Sequence, residues 1–87
     1  MKTFESLYTE ILSKAQSDPT ASNTAKLVQA GVHEIGKKVV EEAAEVWMAA
    51  EYQTKDDLTL EISQLIYHLQ VLMVVKGITP QDLEEKY

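Results

Sequence analysis

The chain of 87 residues has no cysteine and no arginine, and it has little glycine or proline. The absence of cysteine excludes a disulfide framework, a thiolate metal site and a cysteine nucleophile. Three glycines and two prolines are too few for a turn-rich β-sandwich or barrel. The longest apolar run, Val71–Val75, is far shorter than a membrane span, and the N-terminus has no apolar signal core. We therefore expect a cytoplasmic protein that has no contact with a membrane.

Negative charge dominates the residues that are present. The chain has 14 acidic residues and 8 basic ones, all of them lysine, and its net charge is −6. Such a surface repels the backbone of nucleic acids, so we expect no nucleic-acid partner. An acidic protein can still bind a small molecule that carries phosphate, but it then usually needs a divalent cation between the two negative partners.

The spacing of apolar residues predicts an all-α fold in a single domain that covers residues 1–87. Capping signals and turn residues divide the chain into five helical segments, at about 4–15, 22–30, 32–52, 55–76 and from 80 onwards. The polar turn before the fourth segment contains Thr54 and Asp57, which have the spacing of a capping box. Gly31 and Gly77 are expected to end the second and fourth segments.

The two long segments are expected to pack antiparallel at the centre of a small helical bundle, with the shorter helices beside them. The main apolar stripe of the third segment consists of Ile35, Val39, Ala43, Val46 and Ala50. That of the fourth consists of Leu58, Ile62, Leu65, Leu69 and Leu72, and further apolar residues broaden it. Because the fourth segment is apolar on more than one side, we expect dimerisation to complete the bundle.

Acidic residues border the apolar stripe of the third segment. On a helical wheel Glu42, and then Glu45, lie at the edge of the stripe, whereas Glu41 points further outward. The fourth segment has a matching group, because Glu61, Gln64 and His68 fall within about 60° of one another.

If the two helices pack through their stripes, Glu42 and Glu45 face Glu61 and Gln64. Carboxylates brought together in this way repel one another, and a hard cation such as Mg²⁺ converts that repulsion into binding.

A plainer interpretation of these glutamates is also open. Lys37 and Lys38 precede Glu41 and Glu42 by four residues, and such pairs commonly stabilise solvated helix faces. Lys26, like Lys37 and Lys38, could contact phosphate as a point charge or could be solvated. His68 could bind phosphate or could pack as a half-buried helical residue.

Two motifs carry a resemblance to a known family. They are Glu41-Glu42-Ala43-Ala44-Glu45 and Glu61-Ile62-Ser63-Gln64. They resemble Glu-Glu-x-x-Glu followed by Glu-x-x-Asp, the signature of the all-α nucleoside triphosphate pyrophosphohydrolases (the MazG-like group). The surrounding residues, including Thr24-Ala25-Lys26-Leu27, are similar to the phosphoribosyl-ATP pyrophosphatase family from about Phe4 to the C-terminus.

The resemblance implies Mg²⁺-dependent hydrolysis (with Mn²⁺ as a substitute) of the α–β phosphoanhydride of 1-(5-phosphoribosyl)-ATP, the second step of histidine biosynthesis. It implies metal ligands at Glu42, Glu45 and Glu61, and it leaves Gln64 in doubt because the family usually has Asp there. Glu41 matches a further acidic position of the motif.

The resemblance and the chemistry of the reaction assign further roles as expectations. Glu41 or Glu45 would act as general base, and Lys26, Lys37, Lys38 and His68 would contact the substrate. The resemblance also implies a functional association with phosphoribosyl-AMP cyclohydrolase, to which some relatives are fused. Two alternatives are a house-cleaning nucleoside triphosphate pyrophosphatase and a non-catalytic helical dimerisation module.

Overall fold

The computed structural model describes all 87 residues and contains five helices and no strand. The helices are α1 (Phe4–Lys14), α2 (Asn23–Ala30), α3 (Val32–Tyr52), α4 (Lys55–Lys76) and α5 (Pro80–Glu84). The all-α prediction is confirmed, and both long helices have the predicted bounds.

Local capping chemistry explains why the helices begin where they do. Thr3, Ser22, Thr54 and Thr79 are the N-caps of α1, α2, α4 and α5, and each side chain accepts a hydrogen bond from the backbone N–H three residues later. The predicted capping box of α4 is confirmed, because the Asp57 carboxylate also accepts a hydrogen bond from the Thr54 backbone N–H at 3.4 Å.

A single residue, Gly31, joins α2 to α3. It is the C-cap of the first helix and the N-cap of the second, with φ 98° and ψ 176°. L-amino acids with a side chain rarely adopt this conformation, whereas glycine adopts it without a steric penalty. The change of direction between α2 and α3 therefore depends on glycine at this position.

The fully buried apolar core is small and joins three helices. Ile11 of α1, Ile35 of α3 and Val71 of α4 are at most 1% exposed and pack together. The predicted stripes were partly wrong: Ala43, Ala50, Ile62 and Leu69 are exposed, whereas Ala49, Gln70 and Val71 are buried. The reason is that α1 packs against α4 on the side of Val71.

The buried Gln70 also ties α1 to α4. Its Nε2 donates a hydrogen bond to the Phe4 carbonyl at 3.0 Å, and on the same helix the Tyr8 hydroxyl donates to the Ile78 carbonyl at 2.8 Å. These two bonds attach α1 to Gln70 within α4 and to Ile78 just after the end of α4. The position of the long α3–α4 pair relative to α1 is therefore well defined.

The long helices carry an outer apolar face, defined by Val40 and Trp47 on α3 and by Ile62 and Leu69 on α4. These side chains are between 39% and 69% exposed. On a helical wheel they lie about 120° to 180° away from Ile35 or Val71 of the same helix. By length and composition alone α4 could also span a membrane, a property that core helices of bundles share. The rest of this chain leaves the outer apolar face uncovered.

Candidate metal centre

Three carboxylates converge between α3 and α4. One carboxylate oxygen from each of Glu42, Glu45 and Glu61 lies within 4.8 Å of the others. Glu42 and Glu45 are neighbours on α3 because residues three apart share a helix face, and the packing of α4 against α3 brings Glu61 opposite them. The structure thus brings together three of the four residues that the sequence predicts as metal ligands.

The cluster lacks partners for its negative charge. Glu42 Oε2 and Glu61 Oε2 are buried and have no hydrogen-bond partner. Burial raises the pKa of both carboxyls, and the neighbouring Glu45 raises them further. A buried carboxylate oxygen without a donor is unfavourable, so a positive ligand would stabilise this cluster. Three carboxylates are the donor set of a hard divalent cation, and these residues therefore fit Mg²⁺.

Gln64, the fourth predicted ligand, lies outside this group of three. It is exposed, one helical turn after Glu61 on α4, and its backbone carbonyl is 2.8 Å from His68 Nδ1. Because a carbonyl can only accept a hydrogen bond, Nδ1 carries the proton, and the other ring nitrogen of His68 is free to bind a further group. His68 is half-buried beside the cluster, and its charged form would lower the pKa of Glu42.

Glu41 is on the outside of α3. Its carboxylate is exposed and lies 3.3 Å from Lys38 Nζ, while Lys37 Nζ lies 3.6 Å from the Glu34 carboxylate. The pairs predicted in the plainer interpretation, Lys37 with Glu41 and Lys38 with Glu42, are therefore not the ones that form. Glu42 has no lysine partner, and its burial is not explained by a surface ion pair.

Lys26 lies on the exposed side of α2, close to α3. It lines a cavity of about 230 Å³ together with Lys38 and Glu34, and it forms no ion pair. Two of the three predicted phosphate-contacting lysines thus share one cavity. Lys37 lines a different, open groove on α3 with Val40 and Glu41.

One polar contact near the site was missed by sequence reasoning. The hydroxyls of Thr24 on α2 and Tyr67 on α4 are hydrogen-bonded to each other at 2.5 Å, and the Tyr67 ring packs edge-on against the His68 ring. The only signal in the sequence is that Thr24 belongs to the Thr24-Ala25-Lys26-Leu27 segment, one of the surrounding segments that are similar to the family. Apolar spacing could not have paired these residues because they are 43 positions apart.

The fold and the site together define an all-α protein with a candidate divalent-cation centre on its two long helices. The sequence profile of the family described as "Phosphoribosyl-ATP pyrophosphohydrolase" matches residues 4–87. The phosphoribosyl-ATP pyrophosphatases of Streptomyces coelicolor and Streptomyces avermitilis are each 64% identical to the chain over 83 residues, which cover 94% of this chain and 92% of each relative. The chain belongs to the phosphoribosyl-ATP pyrophosphohydrolase family and is a hydrolase, as its resemblance implied.

Proposed function

We propose that the chain hydrolyses the α–β phosphoanhydride of 1-(5-phosphoribosyl)-ATP, with Mg²⁺ as cofactor, to 1-(5-phosphoribosyl)-AMP and pyrophosphate. The observation that carries the proposal is the convergence of three carboxylates with two buried, unpartnered oxygens in a chain of this family. This reaction is the second step of histidine biosynthesis.

Glu42, Glu45 and Glu61 would hold the cation. When bound, Mg²⁺ supplies positive charge to the phosphate oxygens and lowers the pKa of water. Mn²⁺ favours the same oxygen ligands and would substitute for it. Glu42 and Glu61 hold their oxygens in a half-buried position, so water is partly excluded on that side of the cluster.

Glu45 is the better placed of the two candidate general bases. It is the exposed member of the cluster, so its carboxylate can reach water that approaches from solvent. Glu41 is paired with Lys38 and lies outside the cluster. We therefore assign proton abstraction to Glu45 and a supporting charge to Glu41.

Four side chains are the proposed substrate contacts: Lys26, Lys37, Lys38 and His68. Lys26 and Lys38 line one cavity, which supports a joint role in stabilising charge on the leaving pyrophosphate. His68 lies beside Glu42, and its free ring nitrogen would reach a phosphate oxygen.

A second copy of the chain would cover the outer apolar face. The buried core is small, and Trp47 and Leu69 remain 68% and 39% exposed in the single chain. Exposed apolar patches of this kind are typical of protein interfaces. We propose a cytoplasmic homodimer that passes its product to phosphoribosyl-AMP cyclohydrolase.

The direct test of the reaction uses Glu45→Gln. We expect pyrophosphate release from phosphoribosyl-ATP to depend on Mg²⁺, to stop with EDTA and to fall at least about 100-fold in the variant, because a general base and a ligand are lost together. Glu84→Gln, in α5, is the matched control and should retain activity.

Two results would contradict the proposal. Full activity of Glu45→Gln with excess Mg²⁺ would remove the assigned role of this residue. Turnover of ordinary or modified nucleoside triphosphates without turnover of phosphoribosyl-ATP would favour a house-cleaning pyrophosphatase. The family assignment already favours an enzyme over a non-catalytic dimerisation module.

A further inference from the structure

A second cavity, which we call the Tyr67 cavity, lies where the end of α1, the start of α2 and the middle of α4 meet. Its volume is about 460 Å³, and its polar lining consists of Lys14, Ser17, Ser22, Asn23, Thr24 and Tyr67. No carboxylate lines it, although acidic residues outnumber basic ones in the chain. The metal centre uses none of these side chains.

The two hydroxyls in the wall of this cavity, those of Thr24 and Tyr67, have one hydrogen that makes no hydrogen bond within the protein. Thr24 is only 5% exposed, and its hydroxyl and that of Tyr67 are bonded to each other and to nothing else in the chain. Two hydroxyls bring two hydrogens, and their shared bond uses one. The other O–H has no acceptor in the protein and belongs to a residue that lines the cavity. A ligand that accepts hydrogen bonds would satisfy it.

Positive charge lies at the mouth of the same cavity. Lys14 Nζ is 2.9 Å from the Glu10 carboxylate, which is also 2.7 Å from Lys2 Nζ. The hydrogen bonds from Lys2 and Lys14 lower the pKa of Glu10 to about 2, so this carboxylate stays ionised. One carboxylate shared between two lysines leaves a net positive charge beside the Tyr67 cavity.

The cavity is connected to the metal centre through two neighbouring residues of α4. The Tyr67 ring packs edge-on against the His68 ring with 5.0 Å between centroids, and His68 lies two helical turns after Glu61 on the same side of α4. Phosphoribosyl-ATP carries two separate anionic groups, a triphosphate and the phosphate monoester of its ribosyl unit. In an acidic chain without arginine, lysine is the side chain that can supply full positive charge to the second group, and hydroxyls can add hydrogen bonds.

We propose that the Tyr67 cavity binds the phosphate monoester of the phosphoribosyl group while the acidic cluster holds the cation for the triphosphate. Lys14 provides the charge, and the Thr24–Tyr67 pair donates a hydrogen bond. The assignment of this phosphate to the substrate rests on the proposed function, whereas the cavity and its donors do not.

The test is a titration of the ¹⁵N-labelled protein with ribose 5-phosphate in the absence of Mg²⁺, followed by NMR. We expect shifts at the amides of Asn23 and Thr24. Lys14→Gln should weaken binding about tenfold, because a charge-assisted contact is lost. Thr24→Val removes the hydroxyl with little change in shape and should weaken binding about threefold to tenfold.

Matched controls separate this effect from a change of net charge and from the loss of a threonine hydroxyl elsewhere in the chain. Lys55→Gln changes the charge by the same amount at the start of α4, and Thr59→Val removes a hydroxyl that bonds only within α4, to the Lys55 carbonyl. Both should leave the dissociation constant within about twofold of the wild-type value. In the assay, Lys14→Gln should raise KM for phosphoribosyl-ATP about tenfold and leave kcat within about twofold.

Three results would overturn the inference: no shift at Asn23 and Thr24, equal weakening by Lys14→Gln and Lys55→Gln, or tighter binding of pyrophosphate than of ribose 5-phosphate at the same amides. The last would assign the cavity to the leaving group. Failure of the wild-type chain to hydrolyse phosphoribosyl-ATP is a separate outcome. It would overturn the proposed function, and the titration would still report on the cavity because it needs neither Mg²⁺ nor turnover.

Discussion

Gln64 is the residue at which this chain departs from the Glu-Glu-x-x-Glu and Glu-x-x-Asp signature that it resembles. It follows Glu61 by one turn of α4 and is exposed at the edge of the three-carboxylate cluster. An amide oxygen can coordinate Mg²⁺, but it contributes no charge. A cation at the proposed site would therefore meet three negative charges.

Replacing this amide by a carboxylate should strengthen the site. If position 64 faces the cation, Gln64→Asp should tighten Mg²⁺ binding about threefold to tenfold, because it adds a negative charge close to the ion. Titration calorimetry measures the effect, and Gln81→Asp in α5 is the control for added charge. Unchanged affinity would place Gln64 outside the coordination shell.

The carboxylates of the site were predictable residue by residue, whereas their surroundings were not. Spacing places Glu42 with Glu45 on one side of α3, and Glu61 was expected to face them on the condition that the two long helices pack through their apolar stripes. Whether Glu42 Oε2 and Glu61 Oε2 are buried without a hydrogen-bond partner depends on which residues surround them. The Thr24–Tyr67 hydrogen bond depends on how α2 packs on α4. Such contacts between distant segments leave no periodic signal in the sequence.

At the scale of the helices, the ends were more predictable than the buried faces. The bounds of α3 and α4 follow from local chemistry, such as the Thr54–Asp57 box and Gly77 in the left-handed region with φ 69°. The buried face of α4 includes Gln70 and Val71 because α1 packs on that side. The spacing of apolar residues shows which sides of a helix are apolar, but it does not show which of those sides a neighbouring helix will cover.

The glycine joint between α2 and α3 allows a prediction about stability. Gly31→Ala should destabilise the protein by about 2 kcal/mol, because φ 98° with ψ 176° is strained for any residue that has a Cβ. Gly77→Ala should cost only about 1 kcal/mol, since alanine tolerates the left-handed region of this C-cap better. Urea denaturation at one protein concentration measures both. A larger loss at Gly77 would contradict the argument.

At the scale of the molecule, the outer apolar face is a surface of large apolar side chains that remain exposed to solvent. The chain buries few residues completely, while Trp47, Ile62 and Leu69 face outward on the long helices. The small size of the chain and the apolar residues on more than one side of α4 already predicted that a single chain cannot cover all its apolar surface. The sequence could not show which residues form the exposed face, because that depends on where α1 and α2 pack.

A charge on this face should separate the proposed dimer. Wild-type protein should sediment at twice the 9.8 kDa chain mass, whereas Leu69→Asp should sediment as a monomer, because an unpaired carboxylate cannot be buried at an apolar interface. Leu12→Asp is the control, since Leu12 on α1 is 43% exposed and Leu69 is 39% exposed. A wild-type monomer in sedimentation equilibrium would refute the dimer.

The one-residue joint at Gly31 also restricts how the length of this chain can change during divergence. An inserted residue there would displace α2 relative to α3, whose packing on α4 brings Glu42 and Glu45 opposite Glu61. The segment at 15–22 between α1 and α2 joins helices that hold none of the three carboxylates, but its Ser17 and Ser22 line the Tyr67 cavity. Insertions and deletions among active relatives should therefore be absent at the joint, and those between α1 and α2 should spare the residues that line the Tyr67 cavity.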